Sequence, residues 1–599
     1  MSPLTPQDAD IPRMRVHEIA STLGITSATF LETLESLGEF VKSPSAHVQP
    51  PVTRRALEVL GRAWPDKGAE RTEPRTRMPQ PQANEYGWHS GAVKPPVSAG
   101  LEKGLAAAEA KLGVVDEHRR LLTHVGSQIV SAFPSKDRGL AGCFTLVIRF
   151  SEAIESAFGL TREVLAVYTP YADLHTRTFE AGIRELRSNK SATPDVILFY
   201  APDPRLPEKL SQWGQLQTVA IPFQLDSADA LGIIDLFQDH IHVRNLFDTA
   251  GPVVGATFFG RRTVLQALRE DVLAQRTTGI FGLRKAGKTS ILLQLAHDLK
   301  QEKILPVLID LESLPSPPID PTDDFLALLR VRLIEELKAA KLRVKELSDL
   351  PGVPSPMQFK LAMQKLLRAI ASDGTRVLLM LDEIEYLTPQ TPGSATSVEL
   401  PRVAQMLSVL RSITQESGNM SLLMAGLTSA IVEDGILHGR PNPFFSWART
   451  VYVGPLAKAD ADNLARSLGH RMGIFVSDDA MDALYEASGG HAYLYRNLAA
   501  TVVSTLPVKA QNRAIARRDV LRALSDWRVQ VHSRITEMIR HVERYYPTEA
   551  VLMAALRDDP ELYREFADSE VEAAGHLRSL GLIEVVDGKD RQAAILELL

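Results

Sequence analysis

A single cysteine, Cys143, stands in a chain of 599 residues. It can support neither an intrachain disulfide framework nor a cysteine-rich zinc site, and the setting it suggests is a reducing cytosol. Aromatic residues are sparse, at 6%. No apolar run approaches the roughly 20 residues that a bilayer crossing needs. The opening "MSPLTPQDADIP" is acidic and has no apolar core, unlike a secretory signal. Positive charge is not in excess either: 67 Lys and Arg face 73 Asp and Glu, for a formal net charge of −6. The chain as a whole is therefore no basic nucleic-acid binder. The expectation is a cytoplasmic protein without a membrane partner. What is present is ordinary globular composition, 45% hydrophobic and 23% charged. The length suits several domains at ~100–200 residues each.

Periodicity divides the chain. Residues 12–60 carry helical spacing (Val16, Ile19, Leu23, then Phe30, Leu34, Leu37), punctuated by Gly24 and Gly38, and predict a small helical docking module over 1–61. Residues 62–100 are rich in Pro, Gly and charge and read as a disordered linker. Over 101–248 a long helical pattern at 118–158 precedes three buried-looking strands, "EVLAVYTPY", "DVILFYAP" and "QTVAIPF", with helices between them. That alternation predicts a small α/β domain with a parallel sheet. A second α/β block, 249–455, has strands near 278–282, 304–311, 376–382, 420–427 and 450–453. Residues 456–535 read as all-helical. Residues 536–599 read as three helices and a hairpin around Asp587-Gly588, the pattern of a winged helix.

The chemistry concentrates in the second block. "GLRKAGKTS" (282–290) fits G-x-x-x-x-G-K-[ST], after a β-like run and at the start of a helical pattern. In that context Gly282 and Gly287 let the loop approach phosphates closely, so that the backbone N–H groups of Leu283, Arg284, Lys285 and Ala286 face the anion. The helix beginning near Lys288 adds its positive end. Lys288 is the expected partner of the β- and γ-phosphates, and Thr289, followed by Ser290, the expected Mg²⁺ ligand. "VLLMLDEIEYL" then supplies Asp382 at a strand end as the second metal-holding residue and Glu383 as the base that polarises water. Glu385 reads as a solvated surface acid. A third strand, "SLLMAGLTSA", ends in Thr428 and Ser429, where Thr428 is either a γ-phosphate sensor or a helix cap.

With these pieces in hand, residues 250–530 resemble the AAA+-related STAND ATPases, including their archaeal-type branch. The matching stretches are "FFGRR" (258–262), "GLRKAGKTS", "LLMLDE", "MAGLTS" and "GGHAYLYRNLA" from Gly489. The resemblance implies a P-loop parallel sheet with a helical lid, ATP and Mg²⁺ as cofactors, and slow hydrolysis coupled to domain rearrangement. It implies that Gly260 and Arg261 border the nucleotide and that His491 lies near the adenine or phosphates. Arg496, one turn on, is expected either to reach a phosphate as a sensor or to lie on the surface. Ala492 stands where the family has proline. Residues 13–48 ("RMRVHEIASTLGITSATFLETLESLGEFVKSPSAHV") resemble the small N-terminal domain of bacterial translation initiation factor two, with no guanine-specific N-K-x-D motif after the glycine-rich loop. That resemblance implies a borrowed docking module.

The remaining signals are weaker. Residues 541–599 carry 13 Asp or Glu against 6 Lys or Arg, so the expected winged helix suits protein packing better than DNA. His240 and His242 suit a strand or loop without metal, because no third ligand is spaced to join them. Cys143 is expected in a helix core. The reading is a nucleotide-driven signalling switch, with protein partners through the N-terminal module and the winged helix and room for a homo-oligomer. The alternative is a DNA-associated AAA+ ATPase.

Overall fold

Short apolar runs bounded by turn residues become strands where both faces can be buried. Here they build two separate five-stranded sheets. The computed structural model describes residues 14–16, 19, 30, 31, 33, 34, 37, 47, 48, 50–60 and 99–598, apart from 161, 215–217, 226–231, 316–318, 390–398 and 511. The expected linker at 62–100 lies outside the described residues, except that Ala99 and Gly100 open a helix. The chain forms two units, Met1–Trp88 and His89–Leu599. In the first, β1 (Met14–Arg15) pairs antiparallel with β2 (His47–Val48), and α1 (Pro50–Leu60) follows. Val16, Ile19, Phe30, Leu34, Val48, Ala56 and Leu57 form its core. The β1–β2 ladder is an addition to the helices that the spacing predicts for this module.

The second unit opens with α2 (Ala99–Leu112) and α3 (Val115–His124). The strands β3 (Gln128–Pro134), β4 (Phe144–Arg149), β5 (Glu163–Tyr168), β6 (Ala192–Tyr200) and β7 (Val219–Pro222) follow, paired in that order. Two expectations are corrected here. The helix expected across 118–158 ends at His124, and most of that span is the β3–β4 hairpin. The sheet is also mixed: β3, β4 and β5 are antiparallel, and only β5, β6 and β7 are parallel. "QIVSAFP" and "FTLVIR" are short, β-branched and aromatic, and they lie between Gly126 and the end of β4. Those features suit strands better than a helix. Cys143 lies just before β4 rather than in a helix, buried, with its thiol pushed up to about 11 by that burial.

The second sheet is fully parallel, in the order β14-β8-β11-β10-β9. Its strands are β8 (Thr278–Phe281), β9 (Ile304–Asp310), β10 (Arg376–Asp382), β11 (Met420–Gly426) and β14 (Arg449–Tyr452). A two-residue ladder, β12 (Ile436–Leu437) with β13 (Arg440–Pro441), lies between β11 and β14. Alternation along β10 sends Leu378 and Met380 into one core and Val377, Leu379 and Leu381 into the other. The first core runs on through the helices after β14, and the second is closed by Phe325, Leu366, Leu407 and their neighbours.

After β14 come the helices α4 (Lys458–His470), α5 (Asp478–Ser488), α6 (Ala492–Ser504) and α7 (Arg517–Tyr545). The segment expected as an all-helical lid also holds strands, because β15 (Ile474–Val476) pairs parallel with β16 (Arg513–Ile515). The expected boundary at 535/536 falls inside α7, a helix of 29 residues. Beyond it, α8 (Pro547–Asp558), α9 (Pro560–Ser569) and α10 (Val571–Leu580) lead to an antiparallel hairpin of β17 (Ile583–Val586) and β18 (Lys589–Gln592).

The mixed sheet and its helices are tied to the segment that follows β14. Arg471 makes a bidentate pair with Asp195 at 2.9 and 2.7 Å. His242, in a helical turn rather than a strand, sits between the carbonyls of Val508 (3.0 Å) and Ala157 (3.3 Å). Gly159 has φ 64°, and a Cβ there would overlap the His470 carbonyl.

Candidate functional site

The glycine-rich loop leaves β8 and enters a helix, Lys288–Asp298, whose N-cap Gly287 has φ 102°. Few side chains adopt that conformation, so glycine suits the position where the loop turns into the helix. Lys288 is buried, and its Nζ donates to the Gly282 and Leu283 carbonyls, both at 3.1 Å. Because β10 is two strands away and parallel, its C-terminal end falls beside this loop. Thr289 Oγ1 donates to Asp382 Oδ2 at 2.6 Å across 93 residues of sequence. Burial raises the Asp382 carboxyl above its ordinary value, against the hydrogen bond from Thr289. Glu383, with φ 55°, follows in the left-handed region, its carboxyl pushed up to about 7 chiefly by burial and then by Glu385.

A cavity of about 340 Å³ opens beside the loop. Residues 284–291 form its floor, residues 247–253 and 257–259 one wall, and Ala492, Tyr493, Arg496 and Asn497 of the lid helix α6 another. Glu383 and Arg261 also line it. Lys285 lies 4.3 Å over the Tyr493 ring. Ser290 Oγ accepts from Val253 N at 3.1 Å, which ties the covering segment to the helix start.

Other expected residues are placed differently. Gly260 abuts the Asp460 carboxylate, and Gly282 and Leu283 stand behind the loop; none of the three lines the cavity. Arg261 uses its guanidinium on the Pro455 carbonyl (3.0 Å), the Gly454 carbonyl and the Ala286 carbonyl (3.4 Å), so it joins the segment before the Arg262–Leu273 helix to the chain just after β14 and to the loop. His491 is buried under the loop as the N-cap of α6, 3.5 Å from Leu494 N, with Nε2 unpartnered among the described residues. Burial, then Arg261, lowers its pKa to about 4. Arg496 is neither a surface residue nor turned to the glycine-rich loop: Nη2 donates to Thr257 O at 2.6 Å and Nη1 to Leu246 O at 3.4 Å. Thr428 Oγ1 accepts from Ala430 N at 3.2 Å, which is the capping arrangement, and Thr428 does not line the cavity.

Sequence reasoning missed two contributors. Glu385 is buried rather than solvated, and its Oε2 accepts from Leu427 N at 3.1 Å, linking the ends of β10 and β11. Tyr546, between α7 and α8, accepts from Ser429 N at 2.9 Å and donates to Leu427 O at 3.0 Å. Arg284 of the loop pairs with Glu537 of α7. No local pattern announces these contacts, because each partner lies more than 40 residues away.

Comparison with known proteins adds the following. Residues 12–49 match the family described as "Translation initiation factor IF-2, N-terminal region". Translation initiation factor IF-2 of Mycobacterium leprae (strain Br4923) is 52% identical over 60 residues, 10% of this chain and 6% of that protein. The chain thus spans only about 6% of the length of the curated relative it matches. Among solved structures, a Walker-type ATPase of Pyrococcus abyssi is similar at 15% identity and a TM-score of 0.44, covering 59% of this chain and 99% of that one. The Aeropyrum pernix ORC2 protein is similar at 12% identity and a TM-score of 0.37, covering 59% of this chain and 96% of that one. No described helix is long and apolar enough to cross a membrane.

Proposed function

We propose that the second unit binds ATP with Mg²⁺ and hydrolyses it slowly, as a switch of the STAND type within the AAA+ ATPases. The observation that carries this reading is the Thr289–Asp382 hydrogen bond at 2.6 Å, beside a cavity lined by the glycine-rich loop, by Glu383 just after β10 and by helix α6. The donor set fits a hard divalent ion: a hydroxyl and a buried carboxylate, both oxygen, next to loop amides and Lys288. Thr289 would hold Mg²⁺ directly and Asp382 would hold it through water. Bound there, the ion supplies charge neutralisation of the β- and γ-phosphates.

The chain's own residues do the rest. The amides of 284–287 bind phosphate oxygens, and Lys288 leaves the Gly282 and Leu283 carbonyls to pair with them. Glu383, raised by burial, orients a water and takes its proton. Tyr493 and the segment 247–253 exclude bulk solvent. The Arg284–Glu537 pair and the Tyr546–Ser429 contact give α7 and the C-terminal helices a stake in the loop's conformation. Those helices and their hairpin form the winged helix of this reading, and its acidic surface favours protein partners over DNA. The 12–49 module would dock a protein partner.

Calorimetry of the full chain with Mg²⁺-ATP tests the reading. Binding by the wild type, lost in Lys288→Ala, and phosphate release lost in Glu383→Gln are expected. A wild type that takes up no ATP refutes it.

A further inference from the structure

The cavity walls nearest the covering segment are apolar (Phe247, Phe258, Phe259, Leu456, Leu464), which suits a flat base. Two neutral polar side chains of α6 line the same space, Tyr493 and Asn497, and the Tyr493 hydroxyl already accepts from Arg534. A neighbour decides the orientation of the Asn497 amide. Trp527 is fully buried, and an indole N–H can only donate. Its Nε1 lies 3.0 Å from Asn497 Oδ1, so the amide oxygen is the acceptor and Nδ2 is turned away from the indole. Nδ2 carries two N–H groups, and neither has an acceptor among the described residues. The adjacent Arg496 is already engaged by the Leu246 and Thr257 carbonyls. Tyr493, under Lys285 of the loop, marks the phosphate side of α6. Asn497 lies four residues on, about 6 Å farther along the helix axis. That stretch of α6 is bound to the segment carrying the apolar wall, through Arg496 to the Leu246 and Thr257 carbonyls and Asn245 to the Ala500 carbonyl, which is the side suited to the base.

The structure assigns Asn497 as the residue that reads the base: Nδ2 donates to a ring-nitrogen acceptor of the purine, held in that orientation by Trp527. This inference rests on the nucleotide reading above and adds the group that selects the base. It makes Trp527 a positioning residue, because that side chain is buried behind the amide.

The test is calorimetric, with the full chain, ATP, its 1-deaza, 3-deaza and 7-deaza analogues, and inorganic tripolyphosphate. One deaza analogue should bind the wild type about three- to tenfold more weakly than ATP, the range for one lost hydrogen bond. Asn497→Ala should erase that difference and leave tripolyphosphate affinity unchanged, which also shows that the loop is intact. Trp527→Phe should shrink the same difference, because the amide is then free to rotate. Equal binding of ATP and all three analogues by the wild type overturns the assignment. So does an Asn497→Ala variant that weakens ATP and every analogue by one common factor. A wild type that binds neither ATP nor tripolyphosphate refutes the nucleotide reading itself, whereas binding without the analogue-specific effect refutes this inference alone.

Discussion

His491 offers a quantitative test of how the lid sits on the glycine-rich loop. The ring is buried beneath the loop, and burial, then Arg261, then other nearby cations hold its pKa at about 4, against 6.5 for the unburied group. The folded state therefore prefers the neutral ring. The stability that this ring contributes is full above pH 6.5 and is lost progressively as the pH falls toward 4. Between pH 7 and pH 5 the two pKa values imply a loss of roughly 2 kcal/mol from this one group. His491→Asn keeps a side-chain acceptor at the N-cap of α6 but cannot titrate in this range. Urea unfolding followed by tryptophan fluorescence at pH 7, 6 and 5 should show the wild type losing roughly 2 kcal/mol more than the variant. Equal losses in the two proteins would mean that the ring is not buried against the loop as described.

Two further substitutions address the contacts between parts. Gly159→Ala should loosen the mixed-sheet domain from the lid, because the new methyl overlaps the His470 carbonyl; its melting temperature should fall well below that of Gly113→Ala, which has a similar φ but open space around it. Equal melting temperatures would contradict that close approach. Tyr546→Phe should leave the Ser429 N–H without its acceptor, at a cost of about 1–3 kcal/mol. Amide exchange at Ser429 should then quicken by about tenfold or more, and unchanged exchange would sever the C-terminal helices from the β11 end.

The five strands of the parallel sheet were readable because each is a short apolar run with a turn at its end, and "GLRKAGKTS" announces its own loop. Asp382 was readable for the same reason: a carboxylate closing "VLLML" stands out. The β3–β4 hairpin was not, because "FTLVIR" is buried on both faces, while in "IVSAF" a bulge leaves the buried Ile129 and Ala132 three residues apart, which matches a helical period as well as an alternating one. Glu385 and Arg496 were misplaced for another reason. Polar side chains are expected at the surface by default, and only tertiary structure supplied the Leu427 amide and the Thr257 carbonyl that let them be buried. The lid's β15–β16 ladder, three residues on each strand, is too short to leave a pattern.

The 29 residues of α7 have a mechanical implication. At 1.5 Å per residue the helix is a rod of about 44 Å. One part of it touches Arg284 through Glu537, and Trp527 lies behind Asn497. A tilt of about 10° at one end would sweep the other by roughly 8 Å over that length. The Trp527 and Glu537 contacts lie ten residues, about 15 Å, apart on this rod, so a shift of one against the other is magnified about threefold over the whole length.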